Sequence, residues 1–360
     1  MAAALALSAC SSSSSTGSST TTATSTASAG VAGPALDAAL KGTVTAGGSS
    51  AQANAENAWI TAYNAQVAGV TVNYDKSQGS GGGVTNFLAG SYDFAGSDSP
   101  LKAEQQTSSQ TICGAGGAVN LPVYLDGVAI LYNLPGVTAL NLSTDTLAKI
   151  FSLGITTWND PAIAADNPGV TLPSTAITTV TRSDGSGTTQ TFTNYLSAVA
   201  PSIWTNPASN TWPIAGTSAQ KGGSGVVQAV GAGSGTIGYA DHSAIGTATA
   251  ATINKIAFSQ DAATAAFAAA ATTVPSTTGD LSQKLDYTKL TGTQAYPIPL
   301  VSYQIVCTTF KDPAQSALTK SYIGFVASSV GQKVAAKNAG SAPIPDDMLT
   351  KVQATLATVK

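Results

Sequence analysis

From residue 43 onward the apolar positions recur with two different periods, and the two take turns along the chain. Thr43-Val44-Thr45-Ala46-Gly47-Gly48 predicts a short strand that ends in a glycine turn, and Val70-Thr71-Val72-Asn73-Tyr74 alternates as a β-branched strand. Between them Ser50 precedes Ala55, Trp59, Ile60, Tyr63 and Val67, which share one face at helical spacing. The run Gly79-Ser80-Gly81-Gly82-Gly83 then opens a short helix with Val84, Phe87 and Leu88 inward. Tyr92-Asp93-Phe94-Ala95-Gly96 reads as another strand, leading into Ser97-Asp98-Ser99-Pro100. Three times a strand delivers a Gly/Ser/Thr turn to a helix start or loop. That is α/β architecture, with ligands expected beyond the carboxyl ends of the strands.

A second region begins near Val123. It holds a helix over 144–153 with Leu147, Ile150 and Phe151 on one face, a turn at Trp158-Asn159-Asp160-Pro161, and Gly235-Thr236-Ile237-Gly238-Tyr239. The strand pattern returns at Tyr296-Pro297-Ile298-Pro299-Leu300. A last amphipathic helix carries Leu318, Tyr322, Phe325 and Val326. There is no internal repeat, and the length suits two domains of ordinary size.

Composition narrows the function. Charged residues are 9% of the chain, against about 25% in typical soluble proteins, and the net charge is −3. With no basic cluster, the chain is not expected to bind nucleic acid or to be captured by acidic membranes through charge. No apolar stretch is long enough to span a bilayer. Leu7-Ser8-Ala9-Cys10 has the form of a bacterial lipobox, so residues 1–10 read as a truncated lipoprotein signal with Cys10 as the lipidated residue. The stub lacks the basic n-region of a full signal, which points to a start codon placed too far downstream. Residues 11–34 are a Ser/Thr-rich tether whose composition cannot bury a core, with a coil reach on the order of 25–30 Å. Cys113 and Cys307 remain, for one disulfide in an oxidising compartment or as two buried free thiols. No CxxC, HExxH or His/Cys cluster is present, so neither a metal nor a cofactor is expected.

Arg182 is the only arginine among 360 residues, and it opens the densest motif, Arg182-Ser183-Asp184-Gly185-Ser186-Gly187-Thr188-Thr189. A planar guanidinium suits a tetrahedral oxyanion gripped through paired hydrogen bonds. Phe192, Tyr195, Leu196 and Val199 follow at helical spacing, so the glycines and hydroxyls fall at a helix N-terminus, where free N–H groups favour an anion. Asp184 is placed to orient the guanidinium. The alternative is an arginine paired with Asp184 in an ordinary loop.

Taken with Gly48-Ser49-Ser50, Gly79-Ser80-Gly81-Gly82-Gly83 and Ser97-Asp98-Ser99-Pro100, this motif closely resembles the periplasmic phosphate-binding proteins of bacterial phosphate ABC transporters. The resemblance runs from about residue 41 to the C-terminus. It implies an α/β, two-lobed, type II-like solute-binding fold with discontinuous lobes joined by hinge strands. Lobe one would comprise 35–122 and 297–360, and lobe two 123–296, with hinges near Val123-Tyr124-Leu125-Asp126 and Ile298-Pro299-Leu300. The family's phosphate-binding positions fall on Ser50, Ala51, Ser80, Asp98, Arg182, Ser186, Gly187 and Thr188. Ser50-Ala51 departs from the family's frequent Thr-Phe: the hydroxyl and the backbone N–H remain and the aromatic wall is lost. Asp98 can accept the proton of hydrogen phosphate, whereas sulfate has none to offer at neutral pH. The implied protein is an exported monomer, periplasmic or lipid-anchored to the outer face of the membrane through Cys10. Its implied partners are inorganic phosphate and the membrane subunits of an ABC importer. A surface adhesin or phosphate sensor of the same fold would keep the pocket and differ in partners. An enzyme is disfavoured, because the only histidine, His242, lies outside any nucleophile elbow and Gly185-Ser186-Gly187-Thr188 lacks the P-loop lysine.

Overall fold

A computed structural model describes residues 30–360. Cys10, the signal stub and most of the tether lie outside the described residues. Strand β1 (Gly42–Gly48) is followed by helix α1 (Ala53–Asn64), β2 (Val70–Asp75), α2 (Gly79–Leu88), β3 (Phe94–Ser97) and α3 (Ala103–Cys113). The 16-residue β4 (Ala118–Asn133) leads to β5 (Asn141–Leu142), α4 (Thr144–Phe151), α5 (Pro161–Asp166), β6 (Thr178–Arg182), α6 (Gly187–Val199), β7 (Ser218–Gln220), α7 (Gly222–Ala232) and β8 (Thr236–Asp241). Then come β9 (Thr252–Ile253), α8 (Gln260–Ala270), β10 (Ala271–Thr273), β11 (Gln283–Leu285), β12 (Pro299–Cys307), α9 (Pro313–Val326), α10 (Ser329–Ala339) and α11 (Asp346–Thr358).

Eight strands form one mixed sheet in the order β2-β1-β3-β12-β4-β8-β6-β7. Strand β4 joins its two halves. Residues 118–127 run antiparallel to β12, and 128–133 run antiparallel to β8. On one side β1 lies parallel between β2 and β3; on the other β6 lies parallel between β8 and β7. Pro122 sits in mid-strand because the β4–β12 register shifts there, leaving Val123 as an extra residue between the partners of Ser302 and Tyr303. A bulge is where a strand tolerates the missing donor.

The strand and helix expectations hold for β1, β2, α1, α2, α4 and α6, with boundaries moved by a few residues. One is corrected: the helix carrying Leu318, Tyr322, Phe325 and Val326 is α9, and two more follow it. Helix α11 shows its apolar face clearly, with Met348, Leu349, Val352 and Leu356 buried. Helix α10 buries Gly331, Gln332, Ala335 and Ala339, a face of small and polar residues that gives little contrast in sequence. Of the two readings left open for the cysteines, the disulfide is correct. Cys113 at the end of α3 is bonded to Cys307 at the end of β12, with Cα atoms 4.7 Å apart.

The inward face of α1 and its N-cap position hold two polar residues that periodicity could not place. Gln52 and Glu56 are buried, while Ile60 is only half-buried. Glu56 accepts hydrogen bonds from Gln304 Nε2 at 2.8 Å and Tyr322 Oη at 2.5 Å. Burial pushes its carboxyl up to about 7, against the pull of those two donors. A carboxyl raised in the folded state contributes stability that is fully present below its unfolded pKa and is lost as pH rises through about 7. Folding should therefore weaken by on the order of 3 kcal/mol from this group between about pH 4.5 and 8. Glu56→Gln should flatten that slope in denaturant titrations repeated across the window; an unchanged slope would contradict the assignment.

Candidate functional site

The site is built where strand ends meet helix starts. Strand β1 ends at Gly48 with φ +137°, and a Cβ there would lie 2.1 Å from the Gly96 carbonyl oxygen, so only glycine fits. The turn lets Ser49 N–H donate to that carbonyl at 2.8 Å and aims the Ser49 hydroxyl at Asp98, just past β3. Asp98 is 6% exposed. Its Oδ1 accepts from Ser49 Oγ and from Ser302 Oγ (2.6 Å), and its Oδ2 accepts from Thr188 Oγ1 at 3.0 Å. Its own N–H donates to Ser80 Oγ at 3.2 Å. Burial raises the Asp98 pKa, and the three hydroxyls and Arg182 pull against that rise. An ionised carboxylate offers about four lone-pair positions, so one remains for a proton carried by a ligand.

Strand β6 ends on Arg182, which is buried. Its Nε donates to Asp184 Oδ1 at 2.7 Å and its Nη2 to Oδ2 at 2.5 Å. Burial opposes charge on both, but the paired bonds win: the arginine pKa is raised and that of Asp184 lowered. Gly222 N–H, at the start of α7, also donates to Asp184 Oδ1 at 3.1 Å. Two of the five guanidinium N–H groups are thus spent on Asp184, and three remain for an anion.

Beyond Asp184 the chain turns into α6, with Ser186 as its N-cap accepting from Thr189 N–H at 3.1 Å. The N–H groups of Gly187 and Thr188 precede any intrahelical acceptor and have no partner among the described residues. Gly187 presses against the facing turn: a Cβ on it would lie 2.6 Å from Asp98 Cβ, 2.7 Å from Ser80 Oγ and 2.8 Å from Asp98 N. Helix α2 comes equally close, since a Cβ on Gly79 (φ +64°) would meet Asp184 Oδ2 at 2.4 Å. Gly81 N–H donates to Gly185 O at 2.9 Å. The N-termini of α2, α6 and α7 thus converge around Arg182 and Asp98, an arrangement suited to an anion.

Ser80, Asp98, Gly187 and Thr188 are therefore in direct contact, and Arg182 acts on Asp98 through its charge. Ser50 lies to one side, its Oγ accepting from Gly223 N–H at 3.2 Å. Ala51 is buried, and its N–H donates to Ser49 Oγ at 3.1 Å. The hydroxyl that reaches Asp98 from this turn is Ser49, not Ser50; a turn has no periodicity by which to choose between adjacent serines. Sequence reading also missed Ser302 and the α7 start. Signals for both existed: Ser302 is a small polar residue inside an apolar strand, and Lys221-Gly222-Gly223-Ser224-Gly225 is one more glycine-rich helix entry. His242 stacks on Phe258 with ring centroids 3.9 Å apart and is half-buried. Among the described residues no group of three or more His, Cys, Asp or Glu could hold a metal.

The model of the PBP superfamily domain matches residues 13–330. Phosphate-binding protein PstS 3 of Mycobacterium leprae is 36% identical over 321 residues, covering 87% of this chain and 85% of its own. Phosphate-binding protein PstS of Pasteurella multocida is 35% identical over 327 residues, covering 88% of this chain and 90% of its own. Among solved structures, a high affinity periplasmic phosphate-binding protein (PfluDING) bound with phosphate superposes with a TM-score of 0.67 at 23% identity, over 87% of this chain and 93% of that one. That likeness is one of fold.

Proposed function

The chain belongs to the PBP superfamily and, within it, to the PstS phosphate-binding proteins, and from that premise we propose that it captures inorganic phosphate between two lobes and delivers it to an ABC importer. The observation that carries the reading is the pairing of Arg182, locked by Asp184 with three N–H groups spare, with Asp98, a buried carboxylate with one acceptor position spare. Hydrogen phosphate is an anion that fills both needs: its oxygens accept from Arg182 and the α6 N–H groups, and its proton is donated to Asp98.

The lobes of this reading are 35–122 with 297–360, and 123–296, joined by the hinge regions of β4 and β12. Bonds that cross between them, Gly81 to Gly185 and Thr188 to Asp98, support a closed arrangement. Cys113 and Cys307 both fall in lobe one, so their bond leaves closure free. Arg182, Asp98, Ser80, Ser186, Gly187 and Thr188 would surround the anion, with Ser50 and Ala51 at the margin and Ser49 added beside Asp98. The protein would act as an exported monomer, periplasmic or lipid-anchored at Cys10, as a receptor without catalysis of its own.

Tagged protein loaded with phosphate should retain the importer's membrane subunits from detergent-solubilised native membranes. Repeated failure, with phosphate binding intact, would refute delivery to an importer. Gly187→Ala tests the close approach. Its methyl has no room against Asp98 N, so phosphate affinity should fall more than ten-fold, roughly 1.4 kcal/mol, with little change in thermal stability. Wild-type affinity in equilibrium dialysis would contradict the closed contact.

A further inference from the structure

Two more carboxyls, Asp126 on β4 and Asp241 at the end of β8, are fully buried and take no part in the site above. Asp126 Oδ1 accepts from Gly127 N–H at 2.8 Å, and Oδ2 accepts from Tyr124 Oη at 2.8 Å and from Ser243 N–H at 3.0 Å. Asp241 Oδ2 lies 2.7 Å from Ser243 Oγ. Asp241 Oδ1 has no hydrogen-bond partner among the described residues. It borders the gap between α7 and the β1–α1 turn: a Cβ on Gly223 would lie 3.1 Å from it and 3.6 Å from Ser50 Oγ.

Ser243 thus sits on two carboxyls, and it also reaches the opposite lobe. Its carbonyl accepts from Asn54 Nδ2 at 2.7 Å, and its Oγ lies 3.4 Å from the carbonyl of buried Ala51. A serine hydroxyl has one hydrogen, and here two acceptors compete for it. If Asp241 is ionised, the carboxylate takes that hydrogen and the Ala51 carbonyl goes without. If Asp241 carries a proton, its own O–H makes the 2.7 Å bond and the Ser243 hydrogen turns to Ala51. We propose that Ser243 is the catch that holds the lobes shut, and that closing it takes up a proton onto the Asp126–Asp241 carboxyl pair. The proposal rests on the reading of two lobes that close on phosphate.

The surroundings favour the proton. Burial raises Asp126 to about 7 and places Asp241 well above its ordinary value, with Asp126 and Asp98 adding repulsion to Asp241. Tyr124 faces the pair from β4, its pKa also raised. Lys221, before α7, is exposed, and the His242 ring is turned onto Phe258. In an open cleft, water would reach Asp241 Oδ1 and relieve the burial that raises its pKa, so closure at neutral pH binds a proton that the open form lacks.

Calorimetric titration of the full chain with inorganic phosphate at pH 7.5, in buffers of different ionisation enthalpy, counts the protons taken up. The phosphate's own titration is common to all variants and cancels in differences. Wild type should take up close to one proton more per phosphate than Asp241→Asn. Ser243→Ala should bind phosphate several-fold to ten-fold more weakly. Equal proton uptake in wild type and Asp241→Asn would overturn the protonation, and unchanged affinity in Ser243→Ala would overturn the catch. Absence of any phosphate heat in wild type would overturn the receptor reading itself, and the catch with it.

Discussion

Arg182→Ala should reduce phosphate affinity by roughly 10²–10⁴-fold. Two charge-assisted bonds from the spare N–H groups contribute about 1.5–3 kcal/mol each, and about 1.4 kcal/mol is a factor of ten. Arg182 is the chain's only arginine, so no second guanidinium can take its place. Arg182→Lys keeps a charge but loses the fork that is split between Asp184 and the anion, so it should recover only part of the loss. The check is direct titration of each variant, with circular dichroism to confirm folding, since Asp184 loses its buried partner. Near-wild-type affinity in Arg182→Ala would remove the phosphate site from this position.

Asp98→Asn should cost selectivity more than affinity, with the phosphate-to-sulfate preference falling at least ten-fold, about 1.4 kcal/mol. In the wild type a sulfate oxygen would face a buried carboxylate with no proton between them. The asparagine amide removes that repulsion and can turn a donor toward either anion. Ser49 and Ser302 can go on donating to the amide oxygen while the Thr188 hydroxyl turns to accept from the amide nitrogen, so the pocket should survive the change. Competition of sulfate against bound phosphate measures the outcome. A preference equal to that of the wild type would deny Asp98 its part in discrimination.

How much of this was legible in the chain follows from whether each feature is local. The Arg182 turn was readable because a strand end, an N-cap serine and a glycine at the first helical position are determined within eight residues, and the structure has all three. The strands β1 and β2 were readable because alternation records one buried face. Ser302 was not, since its meaning comes from β12 lying beside β3 and carrying it to Asp98, across 204 residues of chain. Gln52, the N-cap of α1, and Glu56, on its buried face, bond to Ser302, Gln304 and Tyr322, partners that only the assembled sheet and α9 supply. Asp126 and Asp241 are alike in this respect. Each looks like an unremarkable strand residue until the β4–β8 pairing places both against Ser243.

On the proposed reading, the Arg182–Asp98 pairing makes a phosphate receptor that rejects fully ionised anions. Calorimetric titration of the phosphate-stripped protein with phosphate, and separately with sulfate, at neutral pH tests it most directly. One-to-one phosphate binding at micromolar strength or tighter, about 8 kcal/mol or more, is expected, with sulfate silent. Equal binding of sulfate, or silence with both anions, would contradict it.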